Sequence, residues 1–375
     1  MHVLVAPNSF KNCLDAGAVA QAMARGICAA CPMATVTCLP LADGGDGLVS
    51  AMSVLPGSET REVVVPDPLG RPVEAVWLCR GDLAIIEMAQ ASGLHRLRAD
   101  EYAPLCATTA GSGLLIKAAL DAGCRRVVIG LGGSATVDGG AGMLSALGFG
   151  LLDKRGRPIA PGGAGLLALA NIIVETADAR LSAAQFIGLA DVDNPLLGPT
   201  GAARVFGPQK GAAPAEIEVL ECGLQNWAAL LERIFGIRTH DLPGAGAAGG
   251  MGAACLAALS AKLMPGAQWV AEQCGLDEAL CRADWVMTGE GRLDGQTAHG
   301  KAPAYVARQA AAAGKPVIAL GGLVEPNLDL RDVGISECRA IAPAGTPVEE
   351  SIRNAAVYLE RAAAQATMEF KGKHL

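Results

Sequence analysis

The sequence predicts an α/β protein of two domains: a flavodoxin-like domain with a five-stranded parallel sheet, an inserted mixed α+β domain, and a cleft between them. Three observations support this prediction. The chain has 375 residues, a length that suits two domains. Apolar strands alternate with helices at both ends of the chain, which is the pattern of a parallel sheet. Between these ends, residues 60–90 contain three strand runs separated by turn residues, and the first two alternate like a hairpin.

The two ends of the chain supply the strands and helices of the flavodoxin-like domain. We expect strands at 2–6, 34–42, 283–288, 315–322 and 338–345, and helices at 14–30, 48–54, 302–313 and 348–366. This domain therefore comprises residues 1–58 and 266–375, and residues 59–265 form the inserted domain. Further helices are expected at 108–122, 139–148 and 215–235, and further strands at 126–132 and 185–191. A cleft between two such domains is where we expect the ligand site.

The charge pattern argues against a nucleic-acid partner. The net charge is −7, the sequence pI is about 5.4, and lysine and arginine do not form a basic stripe. The chain begins with a strand pattern rather than a basic leader, and its apolar runs are too short to span a membrane. We therefore expect a cytoplasmic protein, a monomer or a homodimer, that acts on a small molecule and not at a membrane.

Cysteine and histidine are poor candidates for a metal site. The twelve cysteines are scattered like small buried apolar residues, and Cys28 and Cys31 form a lone CxxC pair. The five histidines do not form a metal-binding motif. A metal site would therefore use oxygen ligands, which favours Mg²⁺.

Polar residues follow the first two predicted strands, at the strand ends where parallel sheets bind ligands. Asn8, Ser9 and Lys11 share the loop after the first strand, where a lysine either neutralises a phosphate or is simply solvated. Asp43 and Asp46 flank two glycines after the second strand. Asp43 is a candidate Mg²⁺ ligand, whereas Asp46 suits a ligand and a helix cap equally well.

Two loops of the middle segment carry similar signals. Gly132, Gly133 and Ser134 lie between a strand and a helix, where backbone N–H groups can cradle a phosphate, although the glycines can also serve conformation alone. Asp191 and Asp193 follow another strand and suit either Mg²⁺ binding and hydroxyl activation, or an Asx turn. The glycine- and proline-rich stretch after them offers further polar groups, namely Thr200, Arg204, Gln209 and Lys210.

The stretch TGEGRLDGQTAHGKAP (288–303) contains a P-loop look-alike. Gly295 and Lys301 fit the G-x-x-x-x-G-K pattern, but Ala302 stands where a P-loop has a hydroxyl, and Gly295 lies seven residues beyond the end of the predicted strand. We therefore expect a phosphate site of another design, in which Glu290, Arg292 and Lys301 crowd a glycine-rich loop.

These features together favour phosphoryl transfer with Mg²⁺, because that chemistry depends on positioning and charge neutralisation rather than on a histidine or cysteine nucleophile. A nicotinamide-dependent dehydrogenase would need GxGxxG after the first strand, which residues 6–12 lack. A non-catalytic sugar-acid sensor is the alternative from another class. Such a sensor would not need this many acidic groups at strand ends, and binding without ATP turnover would favour it.

Eight motifs, in order along nearly the whole chain, resemble the glycerate kinase family of bacterial glyoxylate and glucarate/galactarate catabolism. They are APNSFK (6–11), PLADGGDG (40–47), PDPLGRPV (66–73), GLGGSATVDGGAG (130–142), ADVDNPL (190–196), GPTGAARVFGPQKGA (198–212), GAGAAGGMGAA (244–254) and TGEGRLDGQTAHGKAP (288–303). The resemblance implies ATP-dependent phosphorylation of D-glycerate, with 2-phosphoglycerate as the product. It also implies that Gly295–Lys301 is not a P-loop, since the family is not a P-loop family.

For this activity we assign residue roles as hypotheses. The expected catalytic residues are Asp191 as the base and Lys11 and Lys301 on phosphate oxygens. The expected ATP-binding residues are Gly132, Gly133, Ser134, Thr288, Gly289 and Gly291. The expected glycerate-binding residues are Asn8, Ser9, Arg204 and Arg292. The expected Mg²⁺ ligands are Asp43, Asp193 and Glu290.

Overall fold

Strands and helices alternate along most of the chain in the computed structural model, which describes residues 1–11, 13–298 and 301–374. The strands are β1 (His2–Val5), β2 (Thr35–Cys38), β3 (Glu59–Pro66), β4 (Pro72–Arg80), β5 (Leu83–Glu87), β6 (Arg126–Gly130), β7 (Gly150–Asp153), β8 (Leu169–Ile173), β9 (Gln185–Leu189), β10 (Lys262–Met264), β11 (Trp285–Leu293), β12 (Val317–Val324) and β13 (Glu337–Ala340). The helices are α1 (Ala16–Ala30), α2 (Leu48–Ser53), α3 (Ala89–Ser92), α4 (Ala110–Asp121), α5 (Ala141–Ala146), α6 (Ala202–Phe206), α7 (Pro214–Phe235), α8 (Ala247–Ala258), α9 (Gly266–Cys274), α10 (Leu276–Arg282), α11 (Ala302–Ala312), α12 (Val348–Arg353) and α13 (Ala355–His374). None of these described helices is both long and apolar enough to cross a membrane.

The chain folds into two compact units, each with its own sheet. The first unit comprises Met1–Asp43, Ser50–Val54 and Gly266–Leu375, and the second comprises Gly44–Val49 and Leu55–Pro265. A five-stranded sheet belongs to the first unit, and a six-stranded sheet and a two-stranded hairpin belong to the second.

The first unit has the predicted flavodoxin-like sheet. Its strand order is β13-β12-β11-β1-β2, and all four neighbouring pairs are parallel. Numbered within the unit, this is the order 2-1-3-4-5, so the predicted fold is confirmed. The order reverses between β1 and β11, and ligands of such sheets bind at the carboxyl ends of the strands beside that reversal. The topology therefore places Asn8 and Glu290 at the expected edge.

Helices α1 and α13 pack closely on one another in the first unit. Asp15 caps α1, because its Oδ1 accepts a hydrogen bond from the Ala18 N–H at 2.7 Å. Gly26 faces α13, and a Cβ at this position would overlap the backbone carbonyl of Glu360. The close approach of the two helices therefore depends on the missing side chain of Gly26.

The second unit is built on a six-stranded sheet in the order β10-β9-β6-β5-β4-β3. The β3–β4 and β4–β5 pairs are antiparallel and the others are parallel, so the predicted hairpin is confirmed. The separate β7–β8 hairpin was not predicted. The long helix α7 buries Trp227 completely, and its indole N–H donates to the Gly139 carbonyl at 2.9 Å, which ties the helix to the glycine-rich loop.

Four predicted elements of the first unit differ clearly from the structure. Strands β2 and β13 end at Cys38 and Ala340, well before the predicted ends at 42 and 345. Strand β11 continues to Leu293 instead of ending at 288, because β12 pairs with it as far as Leu293↔Val324. Glycines and charged residues have low strand propensity, and they hid this extension in the sequence. The predicted helix 348–366 is two helices, which are separated by Asn354 with non-helical dihedral angles (φ −106°, ψ 13°).

Candidate active site

A pocket of about 450 Å³ lies at the carboxyl edge of the first unit's sheet. Its polar end contains Asn8, Lys11, Asp43, Glu290 and Lys301, which lie on or after β1, β2 and β11. Its apolar end is formed by the last residues of β12, the loop 341–346 after β13, and helix α12. One pocket thus combines two amines and two carboxylates with an aliphatic wall.

The buried Asn8 shapes the loop after β1. Its backbone N–H donates to the Gly289 carbonyl at 2.8 Å, and its side-chain Oδ1 accepts from the Ser9 N–H at 2.7 Å. Its Nδ2 donates to Asp43 Oδ2 at 3.3 Å. Asn8 therefore links β1, β11 and Asp43. Both Asn8 and Ser9, which we predicted to bind glycerate, line the pocket.

Glu290 is a buried carboxylate in the middle of this network. The Thr297 hydroxyl donates to its Oε1 at 2.6 Å, and Lys301 Nζ lies 3.4 Å from its Oε2. Burial raises the pKa of Glu290, the Thr297 hydrogen bond and the Lys301 ammonium lower it, and the negative charge of Asp43 raises it again. Asp43 and Glu290 are therefore close enough to repel one another.

Lys301 occupies the N-cap position of α11, where a positive charge opposes the helix dipole. The carboxylates of Glu290 and Asp294 offset this cost, at 3.4 Å and 3.9 Å from Nζ. The Asp294 carboxylate also accepts from the Gln296 N–H, and its backbone N–H donates to Thr297. The loop thus holds the amine toward the pocket.

Lys11 and Arg292, the other two predicted cationic site residues of the first unit, are more exposed than Lys301. Lys11 lines the pocket, is exposed, and forms no ion pair with any residue that the structure describes. Arg292 also lines the pocket, but its Nε pairs with Asp294 Oδ2 at 3.0 Å and the side chain is largely exposed. Lys11 is therefore the more available of the two for an anionic ligand.

Three residues of β11 that we predicted to bind ATP, Thr288, Gly289 and Gly291, make close contacts with neighbouring backbone. The Thr288 hydroxyl is fully buried and donates to the Ala6 carbonyl at 2.7 Å. A Cβ on Gly289 would overlap the Leu320 carbonyl, and a Cβ on Gly291 would lie 3.3 Å from the Lys11 backbone N. Gly291 lines the pocket, whereas Thr288 and Gly289 secure the packing of β11 between β1 and β12.

The extension of β11 also changes the argument about the P-loop look-alike. Because the strand reaches Leu293, Gly295 follows it after one residue, and the spacing argument against a P-loop was wrong. The loop still has Ala302 in place of the hydroxyl residue, and the Gly295 N–H donates to Glu325 at 3.1 Å. His299 and Gly300 of this stretch lie outside the described residues.

In the second unit, the loop 44–46 packs against the predicted phosphate cradle. A Cβ on Gly132 would lie 2.5 Å from the Gly45 Cα, and a Cβ on Gly133, whose φ is +71°, would lie 2.8 Å from Asp46 Oδ1. These glycines therefore provide room for a neighbouring loop. Asp46 does not cap α2 at Val49, whose N–H donates to Glu87 Oε1 at 2.6 Å.

Lys210 is buried beneath this cradle, with 2 % of its surface exposed. Its ammonium donates to Ser134 Oγ at 2.6 Å and to the Thr136 carbonyl at 2.7 Å. Burial lowers the pKa of Lys210 to about 7, and the nearby Asp138 opposes this shift. The lysine therefore holds the backbone of the loop from below.

The remaining predicted residues also lie in the second unit. Asp191 and Asp193 follow β9, and the neighbouring Asn194 side chain donates to the Thr200 carbonyl at 2.8 Å, which fixes the following turn. Arg204 forms a bidentate pair with Glu218 at 2.7 and 3.0 Å. A substrate carboxylate would therefore have to displace Glu218 to bind Arg204.

Comparisons with known proteins agree on one family. The model of the glycerate kinase family matches residues 3–371. The chain belongs to the glycerate kinase family. A glycerate kinase of Bacillus subtilis (strain 168) is 45% identical over 366 residues, which are 97% of this chain and 96% of that protein. A glycerate 2-kinase of Escherichia coli (strain K12) is 41% identical over 358 residues, which are 95% of this chain and 94% of that protein. A crystal structure from Salmonella typhimurium LT2, assigned to glycerate kinase 2, superimposes with a TM-score of 0.89 at 42% identity and full coverage of both chains.

Sequence reasoning missed one polar centre of this glycerate kinase family member. Asp138 is fully buried and accepts hydrogen bonds from the Thr109 N–H and hydroxyl, both at 2.8 Å, and from the N–H groups of Gly140 and Gly142, both at 3.1 Å. It therefore fixes the end of the glycine-rich loop and the start of α5. An aspartate between two glycine pairs was the available signal.

The carboxylates of Asp43 and Glu290 suit the coordination of Mg²⁺. Mg²⁺ is commonly held by one or two carboxylates together with phosphate oxygens and water. The two carboxylates repel one another, and a divalent cation would relieve that repulsion. Among the described residues there is no group of three or more histidine, cysteine or acidic side chains that could hold a metal by itself. Phosphate oxygens and water would therefore complete the coordination.

Proposed function

We propose that the chain is an ATP-dependent glycerate 2-kinase, which transfers the γ-phosphoryl group of ATP to D-glycerate and uses Mg²⁺. One observation carries the proposal beyond family membership: a pocket in the first unit has two lysines and two carboxylates at one end. Phosphoryl transfer needs cations on the phosphate oxygens and carboxylates to hold the metal ion. Both sets of groups line this pocket.

In the first unit we propose that Lys11 and Lys301 bind phosphate oxygens. Lys11 has no ion-pair partner among the described residues, and Lys301 is positioned by Glu290 and Asp294. Asp43 and Glu290 would hold Mg²⁺, which neutralises charge on the β- and γ-phosphates when it is bound. Asn8 positions Asp43 through its side-chain amide.

In the second unit we propose that Asp191 acts as the base. It accepts the proton of the glycerate hydroxyl as the oxygen forms its bond to the γ-phosphorus and the bond between that phosphorus and the bridging oxygen of ADP breaks. Asp193 remains a predicted Mg²⁺ ligand. The cradle of Gly132, Gly133 and Ser134 remains a predicted anion site. Lys210 holds this loop in place through its hydrogen bonds to Ser134 and to the Thr136 carbonyl.

For the glycerate carboxylate, Arg292 is the better of the two predicted arginines. Its partner Asp294 also lies near Lys301 and can keep a cation when Arg292 turns to a substrate. Arg204 would leave Glu218 without its bidentate partner. Bidentate binding of a carboxylate by arginine is strong and directional, so it would orient the hydroxyl that reacts.

The test is a coupled assay of the purified protein with D-glycerate, ATP and Mg²⁺. Enolase is supplied with and without phosphoglycerate mutase, because enolase alone consumes only 2-phosphoglycerate. The expected signal appears with enolase alone, in line with the name glycerate 2-kinase of the E. coli relative. Signal only with the mutase would mean 3-phosphoglycerate, and the proposed position of transfer would be wrong.

The absence of ADP formation with every three- or four-carbon sugar acid would overturn the kinase proposal, and glycerate binding without turnover would then support a sensor. We also propose, from the motif resemblance, that the enzyme phosphorylates glycerate in glyoxylate and glucarate catabolism. Growth of a deletion strain on glucarate and on glucose tests this, since only growth on glucarate should fail.

A further inference from the structure

The aliphatic wall of the first unit's pocket consists of side chains that the fold leaves uncovered. Leu323 at the end of β12 is 49% exposed, and Val348 and Ile352 on α12 are 55% and 46% exposed. All three line the pocket. Large apolar side chains that cluster around an opening commonly mark a site that a ligand or partner covers.

The wall does not suit glycerate. That acid carries a polar group on each of its three carbons, so it has almost no apolar surface to bury. With bond lengths of about 1.5 Å its heavy atoms span roughly 5 Å. The pocket reaches from the end of β1 across β11 and β12 to β13, and three strand spacings of about 4.8 Å give a width of about 14 Å. A longer ligand with one apolar end and one anionic end matches this shape.

Hydrogen bonds hold the backbone of the wall in place. The Ile341 N–H donates to the Gly321 carbonyl at 2.9 Å, and the N–H and hydroxyl of Thr346 both donate to the Pro343 carbonyl, at 3.2 and 2.8 Å. The Cys13 thiol donates to the Ile352 carbonyl at 3.2 Å, which ties α12 to the loop after β1. A preformed pocket loses less conformational entropy when it binds a ligand.

We propose that this wall binds the adenosine of ATP, with the base against Leu323, Val348 and Ile352 and the phosphates directed to Lys11 and Lys301. The proposal rests on the proposed kinase function and adds the position of the nucleotide. It shifts the main nucleotide contacts away from Thr288 and Gly289, which are engaged in strand packing. A purine and ribose bury apolar surface on the wall, and the triphosphate meets the two lysines of the described lining.

The test compares two variants of the wall with one matched control. Leu323→Asn and Val348→Asn change exposed wall residues, and Val357→Asn changes a valine on α13 that is 48% exposed and does not line the pocket. Binding of MgADP and of inorganic tripolyphosphate is measured by isothermal titration calorimetry, and KM is measured for ATP and for glycerate. These proteins should fold normally because the substituted side chains are exposed.

We expect each wall variant to weaken MgADP binding and to raise KM for ATP about tenfold, which corresponds to about 1.4 kcal/mol. Tripolyphosphate binding and KM for glycerate should stay unchanged, and Val357→Asn should change none of these values. Unchanged MgADP affinity in both wall variants, or a raised KM for glycerate in place of ATP, would overturn the proposal.

The outcomes separate this inference from the proposed function. If the wild-type protein phosphorylates glycerate and the wall variants bind MgADP normally, the adenosine site is wrong and the kinase function stands. If the wild type binds MgADP through the wall but does not phosphorylate glycerate, the nucleotide site stands and the choice of acceptor is wrong. If the wild type binds neither MgADP nor ATP, both are wrong.

Discussion

Replacing Lys210 by methionine tests whether this buried lysine loses its proton near neutral pH. Lys210 is 2% exposed, and its acceptors are a hydroxyl and a carbonyl, Ser134 and Thr136. The nearby charged group is Asp138, which is itself buried. Burial lowers the pKa of Lys210 from its ordinary 10.5 to about 7. In the unfolded chain the lysine keeps its proton up to the ordinary value.

The sign and size of the effect follow from proton linkage. Between the folded pKa and the unfolded pKa the unfolded chain binds more protons, so the free energy of unfolding rises with pH. The limiting slope is about 1.4 kcal/mol per pH unit. The folded lysine is half protonated near pH 7. The free energy of unfolding of the wild type, relative to that of Lys210→Met, should therefore rise by about 2 kcal/mol from about pH 7 to about pH 9. Below about pH 6 the difference should be constant.

The assay is urea unfolding at several pH values, followed by tryptophan fluorescence. Trp269→Phe and Trp285→Phe in every protein leave Trp77 and Trp227 as reporters, and both of these lie in the second unit. Lys154→Met, which removes an exposed lysine, serves as the control and should give a difference independent of pH. If the free energies of unfolding of wild type and Lys210→Met differ by the same amount from about pH 6 to about pH 9, the reasoning is refuted, because the buried lysine would then keep its ordinary pKa.

Three further predictions follow from the site and the packing. Asp191→Asn should lower kcat by about 10²- to 10⁴-fold with an unchanged urea midpoint, as expected for loss of a general base, and near-normal turnover would remove Asp191 from that role. Lys11→Met should raise KM for ATP about tenfold or more because a charge-assisted contact is lost, whereas an equal effect of the control Lys154→Met would contradict a specific contact. Gly26→Ala should destabilise the first unit by about 1–3 kcal/mol because the new Cβ overlaps the Glu360 carbonyl. Gly17→Ala in the same helix meets only the Asp15 side chain and should be neutral or stabilising by up to about 1 kcal/mol, so equal unfolding midpoints for the two variants would show that α1 and α13 do not pack closely.

The sheet of the first unit could be predicted from the sequence because local apolar runs indicate its strands. Apolar runs such as 2–6 and 315–322 alternate with helices, and this alternation already implies a parallel sheet. The end of β11 could be predicted only from its pairing with β12. Glu290 and Arg292 read as loop residues by propensity, and they form a strand because β12 continues beside them as far as Val324.

The candidate site was predicted unevenly for a similar reason. The structure brings five predicted residues to one pocket, because they lie on or after strands whose order is fixed by the fold: Asn8, Lys11, Asp43, Glu290 and Lys301. The burial of Lys210 could not be predicted in the same way. Lys210 stands in a glycine- and proline-rich stretch that reads as an exposed turn, and its contact with Ser134 joins residues 76 positions apart.

The glycine-rich motifs explain why a resemblance could identify the family without assigning a role to each residue. A Cβ on Gly249 would overlap the Thr136 carbonyl, and Gly132 lies against Gly45, so these glycines let backbones approach one another. Substituting them should therefore lower stability first. On the proposed roles, the chemistry would rest instead on a few charged side chains of the first unit's pocket, such as Lys11 and Glu290, and substituting them should lower turnover while the fold remains intact.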